Sequence, residues 1–327
     1  MLRLAFLLSA AALTLPAAAQ AEANLSQATL SAQDLRLAGM AERILGANVR
    51  LCRQTMPLTG LILHSADQYG TAPTGAFANG PVEVAQVVAG SPADQAGIVV
   101  GMAILAIGNT PISSISPAPG YPLRDAVFEQ IAAWPADRPA ILTVSNGEGE
   151  IAVPIEAVPG CRALVEVLTD EASTAQSDGR VIQLSYDLVA RLDDAGLAVV
   201  FAHELAHLVL EHRLRLSEAG VADGLAREFG RNRRLTRLAE VEADLLSVHL
   251  LANAGFDPSI APVFWRSDAG RVLGAGAFRS RVYPGYAERA RQTEEEIARY
   301  LSGYAALSGA SHLLALRDLP FADPRQP

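Results

Sequence analysis

Phe201-Ala202-His203-Glu204-Leu205-Ala206-His207 is the stretch on which the reading of this chain turns. On a helix of 3.6 residues per turn, His203 and His207 stand about 40° apart around the axis, so both imidazoles leave from one face. Such a pair is a clamp for a divalent cation. Glu204 sits beside the two rings, near enough to take a proton from water on that cation. The flanking residues from 197 to 210 are almost wholly apolar, which implies a buried helix where three polar side chains are costly unless something uses them. A five-residue pattern with two free positions also arises by chance on a core helix, so the downstream sequence must supply the rest of a site.

A zinc ion working on a substrate takes three protein ligands and keeps one position open. Residues 234–254 read as a helix stopped by Gly255-Phe256-Asp257-Pro258, and on it Glu240 and Asp244 share a face at i and i+4 while Glu242 points away. A Glu ligand followed one turn later by an Asp that holds a histidine's far N–H is coherent metal chemistry. Glu240 is therefore expected to ligate and Asp244 to orient. A charged helix face making surface pairs is the competing reading, and the apolar remainder of the segment opposes it. His212 and His249 each lie five residues past a site residue and are expected to face away from the metal, at the surface or in support of a ligand. His64 and His312 receive no role.

The chain has 327 residues, half of them apolar, which suggests two domains with a substantial core. A net charge of −9 argues against nucleic acid as a partner. Lysine is absent, which excludes a Walker A lysine, a Schiff-base lysine and a Ser-Lys dyad. Residues 1–21 read as a signal peptide, with Arg3, an apolar run over 4–15 and small residues at the cleavage point. No later stretch approaches 18 uninterrupted apolar residues, so no stable membrane span is expected. The expected destination is the periplasm or the exterior. Cys52 and Cys161 would then meet an oxidising compartment, where a disulfide is the first expectation and two buried thiols the alternative.

In order, residues 31–48 read as a helix capped by Ser31, 58–63 as a strand and 68–81 as an exposed loop. Val82-Glu83-Val84-Ala85-Gln86-Val87-Val88, then Gly90-Ser91-Pro92-Ala93-Asp94-Gln95-Ala96-Gly97, then a strand over 102–109 resemble a bacterial PDZ domain. The resemblance implies a helix at 122–134, strands at 140–144 and 150–155, and a peptide tail adding as a strand beside 82–88. Pro81 and Met102 depart from the PDZ pattern, and a PDZ used only as a spacer or lid is the alternative. Strands follow at 164–168 and 181–185 around a polar turn at 173–180, then helices at 186–194 and 197–215 and a polar stretch at 216–231. After the 234–254 helix come a loop at 270–286 and an Arg/Glu-rich helix at 287–307 with a solvated face.

Taken in order, His203-Glu204-Leu205-Ala206-His207, Glu240-Val241-Glu242-Ala243-Asp244 and Ala254-Gly255-Phe256-Asp257-Pro258 resemble the HtpX and CAAX-prenyl-protease family of gluzincin metallopeptidases, especially its soluble periplasmic members. The likeness covers 162–295 and the helix at 31–48, with the PDZ-like stretch between them and Cys52 and Cys161 at its neck. It implies an α+β chain: a mainly helical zincin domain with a small edge sheet, beside a β-rich PDZ domain. The divisions are 1–21, 22–52 packing on the protease, 53–160 and 161–327. It also implies one Zn2+ per chain on His203, His207 and Glu240, with Glu204 as base and Asp244 in support. Val181, Ile182, Gln183 and Leu184 would form the edge strand that pairs with substrate. Family members often carry a His-Pro pair ahead of an Arg. Here that register reads Tyr283-Pro284 to Arg289, making Tyr283 and Arg289 the candidates to donate to a developing oxyanion.

The implied activity is zinc-dependent endoproteolysis of unfolded or misassembled cell-envelope proteins, on a protein or peptide substrate and with oligomeric state open. A rival reading is a peptide-binding chaperone or scaffold whose zinc is structural. A zinc hydrolase acting on a non-peptide bond is weaker, because nothing in the sequence suggests a small-molecule pocket.

Overall fold

Apolar residues gather into two main cores, one around the apolar helix that carries the two histidines and one inside a six-stranded sheet. The computed structural model describes residues 17–69, 75–135, 138–169, 174–221, 230–275, 284–303 and 307–321. Residues 1–16 of the expected signal segment lie outside these, and 17–21 begin the first helix.

That helix, α1 (Ala17–Ala47), starts well before the expected residue 31 and buries Leu37, Ala41, Ile44 and Leu45 at helical spacing. The strand expected at 58–63 is two strands, β1 (Thr55–Leu58) and β2 (Leu61–Ser65), because Gly60 turns the chain at φ 78°, where a side chain is unfavourable. There follow β3 (Val82–Val87), α2 (Pro92–Gln95), β4 (Ala103–Ile107), β5 (Thr110–Pro111), α3 (Leu123–Ala132), β6 (Ala140–Ser145) and β7 (Glu150–Ile155). The sheet runs β2-β3-β4-β6-β7 with β5 beside β4, antiparallel throughout. Val127 and Ile131 of α3 close its inner face over Val82, Val84, Ile104, Leu142 and Val144. One expectation is corrected here. Strand β3 lies between β2, which pairs with it over 82–87, and β4, which pairs with it at Glu83, so it is an inner strand; the edge strands are β2, against which α1 packs, and β7.

The chain returns through β8 (Val158–Cys161), which pairs with β1, and a Cys52–Cys161 disulfide joins the two passages with Cα atoms 5.5 Å apart. Next come β9 (Leu164–Leu168), β10 (Ala175–Ser177) and β11 (Val181–Ser185), in the order β10-β11-β9. Here too the structure differs from expectation. Val181, Ile182, Gln183 and Leu184 lie on the central strand, with β9 parallel on one side and β10 antiparallel on the other, so among the described residues the edge strands of this sheet are β9 and β10.

The remainder is helical: α4 (Tyr186–Arg191), α5 (Asp194–Val209), α6 (His212–Glu218), α7 (Gly230–Asn253), α8 (Ile260–Arg266), α9 (Asp268–Ala275), α10 (Tyr286–Tyr300) and α11 (Ser311–Arg317). Asp193 caps α5, its carboxylate accepting the Gly196 N–H at 2.8 Å. The single helix expected over 197–215 is broken, because Glu211 adopts φ 54° and α6 sets off in a new direction. Helix α9 takes the first part of the expected 270–286 loop. Helix α10 stops at Tyr300, short of the expected 307, and is not simply a solvated charge run: Arg289, Thr293 and Glu296 are buried along its inner face. No helix among the described residues is long and apolar enough to cross a membrane.

The disulfide spans a sequence separation of 109, for which chain entropy predicts a contribution of about 4 to 5 kcal/mol. A Cys52→Ala, Cys161→Ala double variant should keep its secondary structure but unfold at a clearly lower temperature in a circular-dichroism melt. An unchanged midpoint would show that the cross-link adds no stability.

Candidate metal centre

Helices α5 and α7 pack face to face, and where they meet three metal-binding atoms converge. Nε2 of His203 and Nε2 of His207 are 3.2 Å apart. Oε2 of Glu240 lies 3.3 Å from the first and 3.8 Å from the second. A tetrahedral cation with ligand bonds of about 2.1 Å spaces its ligand atoms by about 3.4 Å, which these three edges bracket. Glu240 Oε2 is buried and has no hydrogen-bond donor, so its lone pairs remain available. Two imidazole nitrogens and a carboxylate oxygen are a zinc donor set, and the residues fit that ion.

The electrostatics agree. Burial opposes ionisation of Glu240 and Asp244, yet His207 and His203 hold the first near pKa 2, and Arg289 with His203 holds the second near 2. Despite its burial, His203 is raised to about 9 by Asp244 and Glu240. His207 is driven well below its usual value by burial. The centre thus favours positive charge between its carboxylates. Glu204, next along α5, is pushed up to about 7 by burial, with His203 opposing, which places it in the range useful to a general base.

Behind each imidazole stands a brace. Nδ1 of His203 meets Asp244 Oδ1 at 3.0 Å. Arg289 grips the same carboxylate with Nε to Oδ2 at 2.7 Å and Nη2 to Oδ1 at 2.6 Å, and its guanidinium lies 3.4 Å from the Trp265 ring centre. Arg289 is therefore on the Nδ1 side of His203, across the ring from the ligand nitrogen, with these donors spent on Asp244. Its place is that of a support for Asp244, not of a group beside the ligand atoms. Tyr283, its expected partner at an oxyanion, lies outside the described residues.

The second brace is formed by residues to which the sequence reading gave no defined part. Nδ1 of His212 is 2.9 Å from Nδ1 of His207, and its Nε2 is 3.1 Å from Glu242 Oε2. Arg215 Nη1 donates to that oxygen at 2.7 Å and its guanidinium sits 4.0 Å from the Phe321 ring centre. The proton order follows from the donors. Glu242, kept ionised against its burial by His212 and Arg215, accepts Nε2–H of His212. Burial holds His212 below its usual pKa and so neutral, leaving a lone pair on Nδ1 to accept the Nδ1–H of His207. The Nε2 lone pair of His207 then faces Glu240. Counting helical phase sent His212 away from the site, but that count assumes an unbroken helix. The left-handed residue Glu211 turns His212 back, at a backbone cost of about 1 to 3 kcal/mol that the buried pairing offsets. The usable signal was Glu242, an acid on the face of α7 opposite the ligand yet amid apolar neighbours.

Residues 172–226, which contain both histidines of α5, match the family model of peptidase family M48. Mitochondrial metalloendopeptidase OMA1 of Schizosaccharomyces pombe (strain 972 / ATCC 24843) is 33% identical over 121 residues, covering 31% of this chain and 36% of the relative. The chain thus spans about a third of the curated relative it matches. Among solved structures the chain is similar to the HtrA3 PDZ domain bound to a phage-derived ligand, with 16% identity and coverage of 32% of this chain and 89% of that one. The TM-score of 0.24 is too low to establish a shared fold.

Loss of an outer partner of a ligand histidine typically costs 10- to 100-fold in metal affinity. Asp244→Asn and His212→Phe should each weaken zinc binding by about that factor, measured by competition with a chromophoric chelator. Wild-type affinity in His212→Phe would remove the second brace from the site.

Proposed function

We propose that this chain, which the M48 match and the OMA1 relative indicate to be a metalloprotease hydrolase, is a zinc-dependent endopeptidase that cuts unfolded or misassembled proteins of the cell envelope. The observation that carries the reading is the triangle of His203, His207 and Glu240, zinc-sized and with an unsatisfied carboxylate oxygen, beside the buried carboxyl of Glu204.

Zinc bound there supplies a Lewis acid for the scissile carbonyl and lowers the pKa of water. Glu204 takes the proton from the attacking water and returns it to the leaving amine, so the peptide C–N bond breaks with one proton delivered to nitrogen. Asp244 with Arg289, and His212 with Glu242 and Arg215, hold the two imidazoles in the tautomers the ion needs. An extended substrate would pair with the free edge of β10, which packs against α5, in place of the Val181–Leu184 strand.

Residues 53–160 form a PDZ-like domain in this reading, recognising exposed tails or gating the cleft, while 22–52 pack on the protease domain of 161–327. A signal peptide at 1–21 would export the chain, and the disulfide suits that destination. Glu204, buried beside the three ligands and held by burial at a pKa of about 7, gives this centre a base, which favours catalysis over a scaffold role.

The test is Glu204→Gln. The variant should bind one zinc at this centre like the wild type yet lose casein digestion by about 100-fold or more, and a chelator should silence the wild type until zinc is restored. Equal turnover by Glu204→Gln would reject the mechanism.

A further inference from the structure

We propose that His249, Glu296 and His312 form a second zinc site that ties the C-terminal helices to α7 and has no part in the chemistry. The three come from α7, α10 and α11, and their metal-binding atoms lie within 4.8 Å of one another. His249 is 1% exposed and Glu296 7%, while the His312 side chain, 32% exposed, leaves a route in from solvent.

Both rings are held with Nε2 aimed at one oxygen. His249 Nε2 is 2.8 Å and His312 Nε2 2.6 Å from Glu296 Oε1. On its other side His249 Nδ1 meets Ser308 Oγ at 2.6 Å, and His312 stacks on Tyr300 with centroids 3.8 Å apart and planes 14° from parallel. The contact at His249 Nδ1 is the usual anchor of a metal-binding histidine through its second nitrogen, and stacking fixes the plane of His312.

Charge supplies the second argument. The buried carboxylates of Asp244 and Glu242 each have an arginine, whereas Glu296 is met by no arginine among the described residues. Two imidazole nitrogens and a carboxylate oxygen repeat the donor set of the α5–α7 centre, and a divalent cation would take the place of the missing arginine. A bound ion would need the Nε2 atoms free of protons, with the His249 Nδ1–H directed to the Ser308 hydroxyl, and would widen the two N–O gaps to about 3.4 Å. His249 follows Glu240 by nine residues on α7, about 13 Å along the axis. That is far beyond the roughly 4 Å of a two-metal catalytic pair, so an ion here could not share a substrate with the first centre.

The experiment is metal analysis of the full-length protein, purified with zinc and freed of loose ions, for wild type, His312→Gln and a His203→Ala, His207→Ala pair. Gln at 312 can still hydrogen-bond to Glu296 but is a poor zinc ligand, so it separates a metal site from a hydrogen-bonded cluster. Two zinc ions in the wild type are expected, falling to one in either variant. His312→Gln should keep casein digestion within twofold and lose the part of the zinc-dependent rise in melting temperature that comes from the second ion. One zinc in the wild type, lost in the His203, His207 pair and kept in His312→Gln, would overturn the second site and leave the catalytic reading intact. One zinc lost only in His312→Gln would support this site and overturn the other. Should His312→Gln fail to fold, cobalt titration of the wild type and the His203, His207 pair decides: no cobalt bound by the pair rejects the proposal, and one equivalent bound by the pair supports it.

Discussion

Everything at the candidate centre depends on the face-to-face packing of α5 and α7, which buries ionised carboxylates against imidazoles where water cannot screen them. Burial alone would neutralise Glu240 and Asp244. Instead both stay ionised because His203 lies beside each, with Arg289 on Asp244, while Glu240 Oε2 has no hydrogen-bond partner among the described residues. A core helix with only apolar side chains would be cheaper to fold. The polar atoms on this one are tolerated because each has a defined electrostatic partner or is reserved for an ion.

The two braces share a construction although their sequences do not. On one side the order is His203, Asp244, Arg289 and the Trp265 ring; on the other it is His207, His212, Glu242, Arg215 and the Phe321 ring. Each ends in an arginine covered by an aromatic face, so the cation that neutralises the buried carboxylate is itself packed and directed. The extra imidazole in the second brace accepts at Nδ1 and donates at Nε2, so it keeps the same direction along the path and still delivers a lone pair at the ligand nitrogen. With one link fewer, the first brace reaches the same result because Asp244 accepts directly from Nδ1.

How far the sequence could be read depended on whether a feature was local. His203 and His207, or Glu240 and Asp244, sit on unbroken helices, so spacing alone placed each pair on one face, and the structure brings the two faces together. The pairing of Cys52 with Cys161 was also legible, because only two cysteines exist. Strand neighbours were not. Residues 82–88 and 181–184 look like strands from within, but whether a strand lies at the edge or centre of a sheet depends on distant segments such as β2 and β9 that local patterning does not encode. His212 failed for a related reason: one residue in the left-handed region resets the helical phase, and Glu211, not being a glycine, carried no warning.

The neck at Cys52 and Cys161 has a further consequence. The chain departs into the six-stranded sheet and comes back beside its point of departure, with β1 and β8 laid against each other and the two Cα atoms 5.5 Å apart. Close to a hundred intervening residues are thus topologically a detour, hung from a point that a bond or a few residues would bridge. Such a detour is free to grow, shrink or be exchanged over evolutionary time without rethreading the helices that hold the histidines.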